Sequence, residues 1–433
     1  MELALSAYRL VSGAAFPFIK GRLRASHETG FAERCGKYED SKLELIRDKR
    51  TLWLHAVSVG EVQAASPFIA EAGRSGWEGV IAMSTVTETG AGNAKALVGE
   101  MLAFHFFAPW DVPKISRSAC DALKPAAYVT VETEVWPNIL MELRGRSVPR
   151  VLLNARISDR TWERSRVFRG VMGEVYGLFS LILARGEEDA RRLEAMGVEP
   201  KKIKVTGDCK IDAIIKRREA ASGKIPEIRK KLSLADGTMC FVAGSTHEGE
   251  EEILMDAFAR IRSGGALRAA MLILAPRHPE RARHLAAMAN SVCGPCRVSL
   301  YSDLTVGGAK PADVVLVDEI GLLYDLYGVA DAAFVGGSLV PKGGQNILEP
   351  ASWGIPMLHG PHMEDFAAPT SEFDASGAAF GVNDAFDITE LWLKAAGGEL
   401  DASPASSFLS DRSGASRRAW NQVLPLLSVT GAS

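Results

Sequence analysis

Five places in this chain combine residue types and spacing that could do chemistry. The stretch Gly336 to Pro350, GGSLVPKGGQNILEP, follows the apolar run Ala332 to Val335, a short buried strand, and precedes a helix expected from about Asn346. Glycines at a strand's carboxyl end leave backbone N–H groups free to meet an anion, and a helix start adds a positive dipole end. Neither G-x-G-x-x-G nor G-x-x-x-x-G-K-[ST] can be written onto it. Glu349 is placed to accept hydrogen bonds from a ribose diol; the plainer reading is a glycine-rich surface loop. Ser58 and Glu61 stand behind the strand-like TLWLHAV of residues 51–57. They form either a capping box, S-x-x-E, or, with Gly60, a base at a strand's carboxyl end that the nearby helix dipole keeps ionised. Glu132 and Glu134 fall at the end of the strand 126–131, with Pro137 suited to the first turn of the next helix. Arg277, after Pro276, is a cation for a nucleotide phosphate or a surface arginine. A fifth group, Arg156, Arg160 and Arg164 at helical spacing with Arg166 and Arg169 close by, is either a solvated face or a site for acceptor phosphates and lipid head groups.

Positioning such residues takes a repeated scaffold. At 433 residues the chain is too long for one core, and about 200 residues in each of two domains is the expectation. Strand-like and helix-like stretches alternate from Thr51 to Gly207 and again from Met239 to Leu358, which predicts two α/β domains with parallel sheets. The loops named above then share the carboxyl edges of those sheets, where open α/β folds bind ligands. The expected division is an N-terminal segment 1–24, a first Rossmann-like domain 25–212, a second 213–410, and a C-terminal helix and tail 411–433. Ser245 and Thr246 follow the first strand of the second domain, and Gly337 and Ser338 open the glycine-rich loop; all four join the candidate site.

A net charge of −3 argues against a dedicated nucleic-acid binder. The six scattered cysteines fit a reducing compartment. Cys293 and Cys296 spell C-x-x-C, but a helix precedes them and a strand follows, the reverse of a thioredoxin site, so a turn is expected. His359 and His362 flank a Gly-Pro turn and make no metal site by themselves. Residues 3–19 are mostly apolar, interrupted by Arg9 and Pro17, and Lys20, Arg22 and Arg24 follow without an acid. That pattern suits an interfacial anchor on anionic lipids; the alternative is a helix docked on its own domain.

Seven words in order, WLHAVSVGEVQAASPFI, VETEVWPNIL, LLNARISDR, VTGDCKID, AGSTHEGEEEI, LAPRHPER and AFVGGSLVPKGGQNILEPA, resemble the 3-deoxy-D-manno-octulosonic acid (Kdo) transferases of lipopolysaccharide assembly. The match runs from about Gly36 to Pro361. The resemblance implies a GT-B fold, two Rossmann-like doubly wound domains facing across a cleft. It implies inverting transfer of Kdo from CMP-Kdo to the 6′-hydroxyl of a tetraacylated lipid A precursor, without a metal or other cofactor, at the cytoplasmic face of the inner membrane. Glu61 matches the family's general base. Pro276 and Arg277, Ile320, Gly321 and Leu322, and Asn346, Ile347, Leu348 and Glu349 match positions that hold CMP, and Glu132 and Glu134 would shape the acceptor site. The chain departs from the pattern in three places. Gln345 stands where the family usually has His, Ile320 to Leu322 where it has Met-Gly-Glu, and the turn Thr87 to Gly90 lacks the usual proline. The first change keeps a polar side chain and the second removes a carboxylate. The competing expectations are a GT-B transferase or epimerase using another nucleotide sugar, and a non-catalytic membrane scaffold of this fold.

Overall fold

The computed structural model describes residues 3–429 apart from residues 100, 168, 266, 268 and 307–311. Its contacts divide the chain into two units, residues 1–213 with 412–433, and residues 214–411.

The first unit is built on seven parallel strands: β1 (Thr51–His55), β2 (Val80–Thr85), β3 (Phe104–Phe107), β4 (Ala127–Val131), β5 (Arg150–Ala155), β6 (Leu181–Ala184) and β7 (Ile203–Val205). β1 and β4 are buried along their whole length, because helices cover both sheet faces. Side chains alternate between those faces: Leu52 and Leu54 join one apolar cluster with Phe68, while Trp53 joins the other with Phe106 and Tyr128. The strand order is β3-β2-β1-β4-β5-β6-β7, so the direction of winding reverses between β1 and β4. At such a reversal the loops after the two central strands part and leave a crevice at the carboxyl edge. Glu61 lies after β1; Glu132 and Glu134 lie after β4.

The second unit repeats the plan with β8 (Met239–Thr246), β9 (Ala270–Pro276), β10 (Val298–Leu300), β11 (Val314–Leu316), β12 (Ala332–Val335), β13 (Met357–His359) and β14 (Ala379–Gly381), all parallel. Its order is β10-β11-β9-β8-β12-β13-β14. Here the winding reverses between β8 and β12, which puts Ser245 and Thr246 on one side of the crevice and the glycine-rich loop on the other.

The chain's two ends both belong to the first unit. The C-terminal helix, Ala415–Val429, expected as a segment of its own, buries Trp420, Val423 and Leu427 in the same cluster as Phe68. Trp420 sits edge-on to Phe68 at 5.3 Å and donates its indole N–H to Ser75 Oγ at 2.9 Å. Its entry is fixed by Asp212, whose carboxylate accepts the N–H groups of Gly414 and Ser416, each at 2.6 Å. The N-terminal segment is the helix Leu3–Ser26. One side is docked: Tyr8 donates to Asp111 at 2.9 Å, Asn138 donates to Ser12 at 3.0 Å, and Phe16 packs on Trp110. The other side exposes Leu10, Val11 and Phe18, the last 89% accessible. The docked face fits the expectation of a helix packed on its own domain, and the opposite face is exposed. Among the described residues no helix is long and apolar enough to cross a membrane.

Candidate functional site

Glu61 occupies the first turn of the helix Val59–Arg74. Ser58 is the N-cap residue, but its hydroxyl makes no capping bond, and Glu61 reaches one residue farther back than a capping box would, taking the N–H of Val57 at 2.6 Å. Val57 is itself pinned, since its carbonyl accepts from Val86 N, Thr87 N and Thr87 Oγ1 at 3.3, 3.1 and 3.1 Å. The turn that lacks the family's proline therefore still locates the carboxylate, with Thr87 also capping the following helix through Gly90 N at 3.0 Å. Gly60 is exposed on the same turn, and a Cβ there would meet no heavy atom within 4 Å.

Burial pushes the Glu61 carboxyl up to about 7; the Val57 N–H opposes it, Glu134 and Glu132 add to it, and Lys210 opposes it. One of the two sequence readings had the helix dipole keep this group ionised; burial instead raises it, and the Val57 N–H and Lys210 offset only part of that rise. A carboxyl titrating near neutrality is matched to taking a proton from a hydroxyl in the transition state. Burial also raises Glu134, the Trp136 indole opposing and Glu132 adding. Glu132 has a left-handed backbone, φ 61, and its Oε1 lies 2.6 Å from Lys210 Nζ. Lys210 was not singled out as a site residue, although it stands in the word VTGDCKID. It is placed by a second left-handed residue, Asn154 (φ 57), whose amide accepts from Cys209 N at 2.9 Å and donates to Asp208 Oδ1 at 3.1 Å, while Asp208 caps Lys210 N at 2.9 Å. Glu132 and Asn154 are thus left-handed non-glycine residues at the ends of neighbouring strands. Of the arginine group, Arg156 is half-buried; the side chains of Arg160, Arg164, Arg166 and Arg169 lie outside the described residues.

In the second unit Pro276 closes β9 against Thr246, and Arg277 N donates to Thr246 O at 2.9 Å. The Arg277 side chain is exposed, and among the described residues no carboxylate pairs with it. Ser245 is half-buried with φ 54. Thr246 is fully buried, and its hydroxyl donates to Glu251 at 3.1 Å, which Arg281 holds at 2.6 Å, so Thr246 shapes the edge rather than facing a ligand. Ile320 is 89% exposed and Gly321 has φ 92; with half-buried Leu322 they link β11 to the short helix Leu323–Leu326.

The helix after the glycine-rich loop begins at Leu348, two residues later than expected, because Asn346 Oδ1 takes the Leu348 N–H at 3.2 Å and Ile347 is the N-cap. Ile347 is fully buried. Glu349 accepts from Arg217 at 3.0 Å, and Arg217 lies over the Tyr324 ring at 3.9 Å. Burial raises the Glu349 pKa, with Arg217 opposing.

The loop itself corrects an expectation. The amides of Gly337 to Leu339 are not open to an anion: Gly337 N, Ser338 N and Leu339 N donate to the Glu250 carboxylate at 2.7, 2.9 and 2.9 Å, and His247 N joins them at 2.8 Å. Glu250 has no exposure at all. Ser338 is equally buried, its hydroxyl donating to Val335 O and accepting from Gly360 N at 2.8 Å. Gly337 and Ser338 therefore support the loop from inside. In the sequence Glu250 reads only as one of three acids in a helix's first turn. His247, also passed over, buries an Nε2 that has no hydrogen-bond partner among the described residues and faces His278 edge-on at 6.4 Å.

Cys293 and Cys296 precede β10 and so lie at the opposite, amino edge of the sheet; burial pushes both thiols up, Cys293 to about 12. His359 pairs with Asp374 at 2.9 Å and His362 with Glu364 at 3.2 Å. Among the described residues no group of three or more His, Cys, Asp or Glu side chains gathers as a metal cluster.

Comparison with known proteins decides the family. Residues 29–213 match the model of the 3-deoxy-D-manno-octulosonic-acid transferase (kdotransferase) family. The chain is 32% identical over 339 residues to the 3-deoxy-D-manno-octulosonic acid transferase of Haemophilus influenzae, covering 77% of this chain and 75% of that one. This chain belongs to the Kdo transferase family. Among solved structures, this Kdo transferase family member is similar to UDP-GlcNAc 2-epimerase from Neisseria meningitidis bound to UDP-GlcNAc, with TM-score 0.58, 12% identity, and 88% and 100% of the two chains covered. A glycosyltransferase from Rickettsia africae gives TM-score 0.55 at 10% identity, covering 88% and 99%. At such identities the likeness shows the fold alone, which is GT-B.

Proposed function

We propose that this Kdo transferase family member transfers Kdo from CMP-Kdo to the 6′-hydroxyl of tetraacylated lipid A precursor, with inversion and without a metal, at the cytoplasmic face of the inner membrane. The observation that carries the mechanism is Glu61, half-buried at the β1–β4 reversal, fixed by a pinned backbone N–H, and pushed up to about 7. Its carboxylate takes the acceptor hydroxyl proton as that oxygen bonds to the anomeric carbon; the bond from that carbon to the phosphate oxygen breaks, and CMP leaves with the electron pair. Glu132 and Glu134 line the acceptor side. Arg277, exposed and without a carboxylate partner among the described residues, meets the departing phosphate charge. Glu349 takes the ribose diol and Asn346 the neighbouring donor atoms, with Ile320 to Leu322 beside the cytosine.

The helix Leu3–Ser26 brings the chain to the lipid: Leu10, Val11 and Phe18 face outward, and exposed Lys20, Arg22 and Arg24 suit anionic head groups. The test supplies CMP-Kdo, made in situ, with the lipid A precursor and looks for added Kdo mass. A clear binding preference for UDP or GDP over CMP would sink the donor assignment. Absence of any turnover with a folded chain would favour a scaffold.

A further inference from the structure

The glycine-rich loop after β12 is shaped around a carboxylate from a different loop. Glu250 and Gly337 are 87 residues apart in the chain, and three of the four N–H groups that Glu250 accepts come from consecutive residues, Gly337 to Leu339. Consecutive amides converging on one point, with Gly337 at φ 67, form the concavity that in other proteins receives a phosphate or carboxylate ligand. None of these four bonds caps the helix Glu250–Ser263, whose N-cap residue is Gly249 and which has no side-chain capping bond, so the contacts across to the loop require another reason. We propose that Glu250 is a positioning residue of the donor site, an internal anion that sets the limb of the loop presenting Asn346 to Glu349.

The connection is continuous. Gly344 N donates to Gly337 O at 2.9 Å and Gln345 N to Gly336 O at 3.1 Å, so the returning limb hangs on the two residues at the rim of the concavity. Asn346 follows directly and starts the next helix through Leu348 N. Gly336 admits the arrangement because a Cβ there would fall 2.4 Å from Ser245 O. Removing the carboxylate leaves buried N–H groups without acceptors, and the loop must move to rehydrate them.

The inference rests on the donor reading of Asn346 to Glu349, and its test separates the two. Full-length wild type, Glu250→Ala and Glu250→Gln are titrated with CMP by calorimetry, with and without formate, and melted under the same conditions. Glu250→Ala is expected to bind CMP about tenfold or more weakly. Formate should restore that affinity and raise the melting temperature of Glu250→Ala while leaving wild type unchanged, and chloride at equal ionic strength should do neither. Glu250→Gln, which turns an amide NH2 toward N–H donors, should lose CMP affinity while keeping wild-type circular dichroism, and it decides the matter if the alanine variant does not fold. Wild-type CMP affinity in either folded variant, or a folded Glu250→Ala indifferent to formate, overturns the proposal. If wild type itself fails to bind CMP, the donor reading falls, and formate-dependent stabilisation of Glu250→Ala still reports whether the carboxylate fills an anion site.

Discussion

Glu61 combines features that oppose each other. Its bond to Val57 N favours the charged form, and burial disfavours it more strongly, leaving the carboxyl at about 7. A carboxyl raised in the folded state above its ordinary 4.5 contributes stability below that value and loses it as pH rises through about 7. Glu61→Gln keeps an acceptor for Val57 and removes the buried charge. It should therefore melt about 2 °C or more above wild type at pH 8 in a thermal scan, while losing roughly 10²- to 10⁴-fold in transfer rate. A lower melting temperature with normal turnover would return the residue to a capping role. The rate should fall as pH drops below about 7, where the base becomes protonated. Lys210→Met removes the cation that opposes this rise, so the acid limb of kcat/KM should move to higher pH. An unmoved limb would show that Lys210 serves only to hold Glu132.

Elements carry the next set of claims. The helix Leu3–Ser26 is tethered by Tyr8, Ser12 and Phe16, while Leu10 and Phe18 are exposed. Replacing Leu10 and Phe18 together by Glu should cut co-sedimentation with anionic vesicles and leave the melting temperature within about 2 °C of wild type. Unchanged sedimentation would remove the membrane role from this face. The C-terminal helix predicts the reverse: Trp420→Ala empties a fully buried site against Phe68 and Trp77 and should cost about 3–5 kcal/mol in denaturant unfolding. The alternation of strands and helices was readable, because each buried strand is an apolar run ending in polar or glycine-rich residues. The strand ends bearing Glu61, Glu132 and Arg277 could be named from that pattern alone. Glu250 could not, since its partner amides lie 87 residues away and local sequence shows only an acidic first turn. The rise at Glu61 was hidden for a related reason, as burial depends on which helices cover the sheet.

Across the whole molecule each unit is built on a seven-stranded parallel sheet, the second differing from the first in that β11 is inserted between β9 and β10, and each has a crevice between two central strands whose connections leave in opposite directions. The first holds Glu61, its carboxyl pushed by burial up to about 7; the second holds a loop stiffened from within, with Arg277, which pairs with no carboxylate among the described residues, after the neighbouring strand β9. Family membership fixes the kind of transfer, and the residues at the two reversals supply the proposed division of labour. The direct measurement is mass spectrometry of tetraacylated lipid A precursor incubated with in-situ CMP-Kdo and either the wild-type chain or Glu61→Gln. Added Kdo mass with wild type and none with a Glu61→Gln protein that still binds CMP is the predicted result. Equal Kdo addition by both proteins would contradict the role of Glu61, and no addition by a folded wild-type chain would contradict the proposed reaction.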